Sequence, residues 1–401
     1  MPPIRIGYIG LSSKPDCWAT LAHIPYLRRS PHYEIVALCN STPAKALESI
    51  AAHNLPPTTK AYASPAELAA DASIDLIVIC TRVDTHYTVA LPTLLAGKAI
   101  FIEWPLAATT SQARELLSLA QAQNVRTIIG LQARMSPTLL KIREIVSSGR
   151  LGTIHSVNVH ATSGVWQHDI ASARYEHFLK RDVGGNLLTI YGIHILDAVF
   201  ASVGELVPGS YTCAMGNLRP RMLVPEQSSS PSPSPSSASS SSSPSEPVSE
   251  KLEQVDKDTP DQILLIGRLD RGHSAPAAML SFHLRAGSRA KDAPGATWRI
   301  YGETAELVVE FASAGPQIGQ AKRIQIHRFA PASAAGTAKT AQEVEDVRVD
   351  EGGDEWTALP IPGQNIGRLY ETFATGREVP GWDVAVRRHE LIDEFWKNGG
   401  M

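Results

Sequence analysis

The sequence has few of the features that mark a secreted, membrane-spanning or nucleic-acid-binding protein. Its four cysteines in 401 residues lie far apart without a C-x-x-C pair, which argues against a disulfide scaffold or a zinc site. There is no leader-like start and no uncharged apolar run of about 18 residues. The 37 basic and 40 acidic residues form no basic block that could follow a phosphate backbone. We therefore expect a cytoplasmic protein with no membrane contact and no direct nucleic-acid partner.

Short apolar segments alternate with amphipathic stretches in the first third of the chain. The apolar segments have the length of parallel strands and cover residues 4–9, 33–39, 74–81, 99–104 and 125–131. Stretches with helical spacing lie between them, for example residues 43–53 and 111–123. This alternation predicts an α/β Rossmann domain with a doubly wound parallel sheet over residues 1–131.

The pattern changes after Leu151. Alternating polar and apolar residues predict strands at residues 153–162, 263–269, 277–285, 297–301 and 306–311. Helical spacing predicts helices at residues 186–203, 365–375 and 384–398. We therefore expect an α+β domain with a mostly antiparallel sheet over residues 132–401, which would carry the substrate and oligomerisation surfaces.

A tract of serine and proline interrupts the second domain. Residues 228–245 are Ser or Pro at every position except Ala238. Such a composition offers too little apolar surface for a core, and its prolines interrupt strand pairing. We expect a disordered surface insertion at about residues 226–258, acting as a tolerated spacer or as a phosphorylation segment.

The end of the first predicted strand has the character of a dinucleotide loop. Gly10, Leu11, Ser12 and Ser13 lead into a predicted helix at residues 17–28. A pyrophosphate needs backbone N–H groups at a helix start and no obstructing side chain, which Gly10 provides. Ser12 stands where G-x-G-x-x-G has its second glycine, so a strand-to-helix turn without a ligand is the alternative.

The end of the second predicted strand indicates which cofactor binds. An NAD-preferring site supplies a carboxylate to the adenosine ribose here, but this chain has Asn40, Ser41, Thr42 and, shortly after, Lys45. The last three residues can hold a 2′-phosphate by hydrogen bonds and charge. NADP is therefore expected over NAD, although a simple helix cap and turn would be compatible with both.

Four segments together resemble the Gfo/Idh/MocA oxidoreductase family. They are Glu103-Trp104-Pro105 and residues 81–86, 130–137 and 184–197. Within the family, the likeness is closest to a fungal galactose-regulon co-repressor branch. The resemblance implies cofactor contacts from Thr81, Arg82, His86, Glu103, Trp104, Pro105 and Arg134. It also implies a homo-oligomer, a dimer or a tetramer, because the family exposes one sheet face.

The chain departs from the family's enzymes at the expected site of chemistry. Trp104 replaces the lysine of the E-K-P motif, and Ile190 stands at the aspartate position. Of the three groups that hold the reacting hydroxyl in those enzymes, only His194 remains. His194 is thus the candidate acid/base, with Tyr191 or Arg134 as accessory donors. The alternative is a hydrogen-bonded core histidine.

Three functions follow from these observations. The first is an NADP-dependent oxidoreductase acting on a sugar-like, polyol or carbonyl substrate. The second is a catalytically inactive co-repressor that binds NADP and an acidic activator peptide, and that can reside in the nucleus. The third is a non-redox enzyme on the same fold. Trp166 and Tyr175 are expected either to line a substrate cleft or to pack between domains.

Overall fold

The fold is described from a computed structural model. The structure describes residues 2–167, 169–225, 251–272, 275–315, 321–329 and 343–401. The predicted Ser/Pro tract at residues 228–245 lies outside these ranges. Among the described helices, none is both long and apolar enough to cross a membrane.

A six-stranded parallel sheet occupies the first part of the chain. Its strands are β1 (Ile4–Ile9), β2 (Tyr33–Cys39), β3 (Lys60–Tyr62), β4 (Leu76–Ile79), β5 (Ala99–Ile102) and β6 (Thr127–Ile129). Their spatial order is β3-β2-β1-β4-β5-β6, a doubly wound arrangement that confirms the predicted fold class. Short apolar runs form these strands because both faces of the sheet are covered. In β4, Leu76 and Val78 enter one core and Ile77 and Ile79 the other.

Helices connect these strands and cover the sheet. They are α1 (Ile24–Leu27), α2 (Pro43–Ala52), α3 (Pro65–Ala70), α4 (Val83–Leu95) and α5 (Thr110–Ala122). A π-helical turn, Ala19–His23, precedes α1, so the predicted helix at residues 17–28 begins later and in a wider form. Thr42 caps α2 by accepting a hydrogen bond from the Lys45 backbone N–H at 3.2 Å.

Residues after Ile129 lead into the second domain. A short 3₁₀ turn, Gln132–Met135, is followed by α6 (Pro137–Ser147). Further 3₁₀ turns at Ala173–Leu179 and Arg181–Val183 lead to a second π-helical turn, Leu187–Gly192, and then to α7 (Ile193–Ser202). The predicted helix at residues 186–203 is therefore two differently wound segments.

The second domain is built on a large, mostly antiparallel sheet. In the described residues its strands are β7 (Ile154–Ser163), β10 (Glu205–Leu206), β11 (Thr212–Gly216), β14 (Gln262–Asp270), β15 (Ala278–Ala286), β16 (Ala296–Gly302), β17 (Ala305–Phe311), β18 (Ala321–Arg328) and β19 (Glu343–Asp346). The order is β10-β14-β15-β7-β16-β17-β18-β19, and β11 also pairs with β14. Only the β15–β7 pair is parallel among these. Residues alternate between a buried and an exposed face, as in an antiparallel sheet covered on one side.

A smaller sheet corrects one prediction. It contains β8 (Trp166–Gln167), β9 (Ile170–Ala171), β12 (Arg221–Pro225) and β13 (Leu252–Asp256). The insertion was predicted to extend to about residue 258, which is wrong for its last part, because β13 pairs antiparallel with β12. β13 is almost wholly exposed and polar, so it lacks the apolar alternation that marks a half-buried strand.

The chain's last helices pack on both domains. They are α8 (Asp354–Thr357), α9 (Ile361–Ala374) and α10 (Trp382–Asn398). The buried side of α9, including Tyr370, shares a core with Tyr8 and Phe101 of the first sheet. Trp382 of α10 donates its indole N–H to the Ile128 carbonyl at 3.2 Å. The division at residue 131 stays a prediction, but α9 contributes to the core of the first domain.

Candidate functional site

A cleft of about 460 Å³ opens at the carboxyl ends of β1, β4 and β5. This is where a doubly wound sheet places its ligands. The second wall of the cleft comes from the π-helical turn and the start of α7. Nine of the predicted site residues line it: Gly10, Thr81, Arg82, His86, Glu103, Trp104, Pro105, Tyr191 and His194.

The loop after β1 needs glycine at its first position. Gly10 has φ +91°, and a Cβ there would lie 2.6 Å from the Cys80 carbonyl oxygen. The close approach of the Cys80 backbone therefore requires a glycine at this position, whether or not a ligand binds there. Ser12 and Ser13 lie further along the loop, where Ser13 donates to a Glu48 carboxylate oxygen at 2.7 Å. Leu11 is fully buried and offers the cleft no side chain.

Polar residues after β2 are partly committed to the framework. The Asn40 amide donates to the Leu11 and Lys45 carbonyls at 2.9 and 3.2 Å, so it holds the turn together. Ser41, Thr42 and Lys45 have exposed side chains. Glu48 was missed by the sequence analysis because it lies on α2, beyond the strand end where a ribose-binding carboxylate is expected.

His86 joins the two loops that carry predicted cofactor contacts. It is buried, with Nδ1 2.8 Å from the Pro105 carbonyl oxygen and Nε2 3.0 Å from that of Thr81. Burial lowers the pKa of this imidazole. A neutral imidazole has one N–H, so His86 donates to one of these two carbonyls and braces the site. Arg82 forms a two-pronged pair with Asp84 at the rim.

Glu103, Trp104 and Pro105 form the corner after β5, with a cis peptide between Trp104 and Pro105. Glu103 is 8% exposed and lies 3.0 Å from His23 Nε2. Trp104 is 5% exposed and donates its indole N–H to the Thr189 carbonyl at 2.6 Å. The single donor of Trp104 therefore fastens the strand corner to the π-helical turn and is not available to a ligand.

His194 lies near the start of α7 and borders the cleft. Its ring is buried, and this desolvation lowers its pKa to about 4. Its Nδ1 has no hydrogen-bond partner among the described residues. Ile190 and Tyr191 line the same wall from the π-helical turn. At neutral pH the cleft thus contains an uncharged imidazole that can accept or share a proton.

Arg134 does not belong to the cleft, contrary to prediction. Its guanidinium makes a two-pronged pair with Asp197 at 2.9 and 2.7 Å. Asp197 is also bound by Arg388, so one buried carboxylate ties the turn after β6 to α7 and α10. Arg134 therefore acts as a brace within the second domain, and it serves neither as the predicted cofactor contact nor as the accessory donor.

Sequence reasoning missed several residues of the cleft, among them two with unpartnered buried polar atoms. Gln132 Oε1 and Trp18 Nε1 border it, are buried and have no hydrogen-bond partner within the described ranges. Gln132 lies in the run that resembles the family, which is a usable signal, whereas Trp18 has none. Tyr175 lines the cleft as one alternative expected, while Trp166 is buried beneath Lys257 and lies away from it.

The residues present fit a dinucleotide. Unpaired buried polar atoms cost free energy unless a ligand or water satisfies them, and the cleft collects three of these on Trp18, Gln132 and His194. Gly10 and Gly185 keep the floor free of side chains. Among the described residues, no group of three His, Cys, Asp or Glu side chains could hold a metal ion.

Comparisons with known proteins agree with this architecture. Residues 4–131 match the Gfo/Idh/MocA model, described as an oxidoreductase family with an NAD-binding Rossmann fold. Residues 137–231 match the Gal80p C-terminal domain. The chain is similar to the dehydrogenase aclE of Aspergillus oryzae, at 35% identity over 50% of this chain and 55% of that protein. It is also similar to the galactose/lactose metabolism regulatory protein GAL80 of Kluyveromyces lactis, at 31% identity over 52% of this chain and 46% of that protein.

The aligned segments span about half the length of these two relatives. Among solved structures, a super-repressor mutant of Gal80p from Saccharomyces cerevisiae superposes with a TM-score of 0.78. That match covers 99% of this chain and 96% of the other at 22% identity, so it shows a shared fold. The chain is therefore similar to the Gfo/Idh/MocA family over its nucleotide-binding domain, residues 4–131, and to the Gal80p C-terminal domain over residues 137–231.

Proposed function

We propose that the protein is an NAD(P)-dependent oxidoreductase that acts on a small hydroxyl or carbonyl compound such as a sugar. The observation that supports this most is His194, a buried imidazole on the cleft wall with an unpartnered Nδ1. The cofactor would lie along Gly10, Thr81 and Glu103, at the carboxyl ends of the strands. The similarity to a dehydrogenase supports the same class of reaction.

The chemistry needs one proton acceptor in the cleft. The cofactor, when bound, supplies the site that accepts or returns a hydride. Oxidation of a carbinol also requires loss of the O–H proton, which passes to the His194 imidazole. Because its pKa is lowered to about 4, His194 is in the accepting form at neutral pH. Tyr191 stands on the same wall and would orient the substrate oxygen.

Within this proposal NADP is the preferred cofactor. The exposed side chains of Ser41, Thr42 and Lys45 suit a 2′-phosphate. Glu48 adds a negative charge beside Ser13 and works against that preference. Lys45 therefore decides the preference if its contact with the phosphate outweighs the repulsion from Glu48.

A regulator is the second candidate, and Trp104 is the observation that favours it. Its indole N–H is bound to Thr189, and Ile190 adds an apolar wall, so two family positions offer the substrate no proton group. Such a protein would bind NADP without turnover and hold an acidic activator peptide, in line with its similarity to a galactose regulatory protein. Nuclear residence fits this candidate and cytoplasmic residence the enzyme, so cell fractionation helps to separate them.

The exposed sheet face supports a homo-oligomer in either case. Leu264, Ile266 and Met279 are 44%, 60% and 49% exposed on β14 and β15. Adjacent exposed apolar residues favour contact with another protein surface. We propose that a second copy of the chain covers this face, which light scattering of the purified protein would test.

Turnover decides between the two candidates. Wild type is mixed with NADP or NAD and a panel of sugars, polyols and carbonyl compounds, and the absorbance of the reduced cofactor is followed. The oxidoreductase predicts a substrate-dependent change, which His194→Ala lowers about 100-fold without changing the melting temperature. His32→Ala, which changes an exposed histidine just before β2, serves as control. The regulator would be favoured if wild type turned over no substrate and if wild type and His194→Ala bound the cofactor equally well.

A further inference from the structure

A hydrogen-bonded chain of three side chains runs from α9 to the cofactor cleft. Tyr370 Oη lies 2.8 Å from His23 Nδ1, and His23 Nε2 lies 3.0 Å from Glu103 Oε1. Tyr370 and His23 are fully buried, and Glu103 is 8% exposed. The three residues come from α9, the first π-helical turn and the corner after β5, so tertiary packing alone brings them together.

The chemistry of the end groups orders the hydrogen bonds. A carboxylate oxygen only accepts, so the His23 Nε2–H donates to Glu103. In a neutral imidazole the other nitrogen then accepts, and the Tyr370 hydroxyl donates to Nδ1. The Tyr370 hydroxyl therefore satisfies Nδ1 and holds the His23 ring in the orientation that places the Nε2 donor on Glu103.

The Gly130 backbone also lies close to the Glu103 carboxylate. A Cβ at Gly130 would lie 2.8 Å from both of its oxygens, so only glycine leaves room for it. Glu103 is thus bounded by Gly130 and by His23, and it lines the cleft. A ribose hydroxyl is the ligand group that suits such a held carboxylate.

We infer that Tyr370 and His23 are positioning residues for cofactor binding, acting through Glu103. This rests on the proposed function only in requiring that a dinucleotide binds in the cleft. Helix α9, which lies more than 200 residues away in sequence from the nucleotide loops, is thereby part of the proposed cofactor site. Pro362, at the start of the same helix, lines the cleft directly.

A neighbouring tyrosine provides a matched control. Tyr33 belongs to the same buried cluster and meets the Tyr370 ring at a centroid distance of 5.2 Å. Its hydroxyl donates to the Tyr370 backbone carbonyl at 2.7 Å and does not reach His23. Tyr33→Phe therefore removes a comparably buried hydroxyl from the cluster without breaking the chain to Glu103.

The test measures NADH and NADPH dissociation constants by calorimetry for wild type, Tyr370→Phe and Tyr33→Phe. Nitrogen NMR of the His23 ring records the Nδ1 and Nε2 resonances in the same proteins without cofactor. We expect Tyr370→Phe to weaken binding of the preferred cofactor about tenfold and to shift the Nδ1 resonance, because Nδ1 loses its hydrogen bond. The cofactor dissociation constant of Tyr33→Phe should stay within about twofold of wild type, with the Nδ1 resonance unchanged.

Equal losses of cofactor affinity in the two phenylalanine variants, or an unchanged Nδ1 resonance in Tyr370→Phe, would overturn the inference. Should Tyr370→Phe fail to fold, the comparison moves to His23→Gln and His23→Leu. The glutamine amide can still donate to Glu103 and should bind cofactor more tightly than the leucine variant, whereas equal binding would again overturn the inference. Wild type that binds neither dinucleotide would overturn the proposed function itself, which is a separate result.

Discussion

The two ends of the cleft differ in the chemical groups that line them. The end that we propose for the cofactor, the cofactor end, consists of backbone and fixed polar groups, with Gly10 closely packed on Cys80 and Glu103 bound by His23. The end that we propose for the substrate, the substrate end, carries the apolar side chains of Trp104 and Ile190 and the unpartnered Nδ1 of His194. In the proposed oxidoreductase we therefore expect that mutations can change cofactor binding and turnover separately.

Trp104→Lys is expected to have the largest effect. It restores the lysine that the family's enzymes carry, but it places an ammonium where a buried indole binds Thr189 and packs on His389 at a centroid distance of 5.0 Å. We expect a loss of about 3–5 kcal/mol in the free energy of unfolding. Denaturant unfolding measures it, and Trp104→Phe, which keeps an aromatic ring, should lose only about 1–2 kcal/mol. A stable lysine variant with new alcohol dehydrogenase activity would contradict this expectation, because it would show that the substrate end tolerates the family's lysine and does not depend on the Trp104 indole.

Acid should destabilise the substrate end. The pKa of His194 falls from 6.5 to about 4 on burial, and that of His389 to about 3. The unfolded chain therefore binds more protons below pH 6.5, and stability present above that pH is lost as pH falls toward 4. His194 alone accounts for about 3 kcal/mol.

Unfolding free energies between pH 7.5 and 4.5 check the acid prediction. His194→Gln should flatten the fall, whereas His155→Gln, which changes an exposed ring on the large sheet, should not. Wild-type stability that does not change over this range would contradict the buried neutral state of His194. The oxidation rate should likewise stay level from neutral pH down to about 5 and drop near pH 4.

Lys45→Gln is expected to have a smaller effect, confined to the cofactor end. Loss of the charge near a 2′-phosphate should raise the NADPH dissociation constant about tenfold and leave NADH binding unchanged. Glu48→Gln should change NADPH binding in the opposite sense, and Lys141→Gln, on α6, is the control for a lost surface lysine. Calorimetric titration decides it. Equal or tighter binding of NADH by wild type would contradict the NADP preference.

Deletion of residues 228–245 is expected to have the smallest effect on stability and cofactor binding. The strands on either side of this segment pair with each other, and Pro225 is the register partner of Leu252, so a shorter loop can still close. The melting temperature and cofactor affinity should stay close to wild type. A drop of many degrees would show that the tract is packed against the domain.

The cofactor end was largely predictable from sequence because its signals are local. Apolar runs identified five strands of the first sheet, and the turn at Gly10 follows directly from a strand end. β3 was missed because a three-residue edge strand beginning with an exposed lysine shows no pattern. The pairing of His23 with Glu103 spans 80 residues and has no sequence signature.

The substrate end was less predictable because the role of each side chain there depends on a hydrogen-bond partner that is distant in sequence. Arg134 fitted the family pattern, yet its guanidinium forms an ion pair with Asp197 on another element. Trp104 was recognised as a departure, but only the fold shows that Thr189 accepts its indole hydrogen. A residue type can suggest a chemical role, whereas its hydrogen-bond partner determines whether that role is open.

The two wide helical turns beside the cleft have a mechanical consequence. A π-helical turn contains one residue more than an α-helical turn, and His23 ends one such turn while His194 follows the other. Each successive residue of a helix points about 100° away from the previous one. Removing one residue from either turn would therefore rotate the following histidine away from its present direction. The direction in which each imidazole points therefore depends on the number of residues in one helical turn. A deletion can change that number, whereas a side-chain substitution cannot.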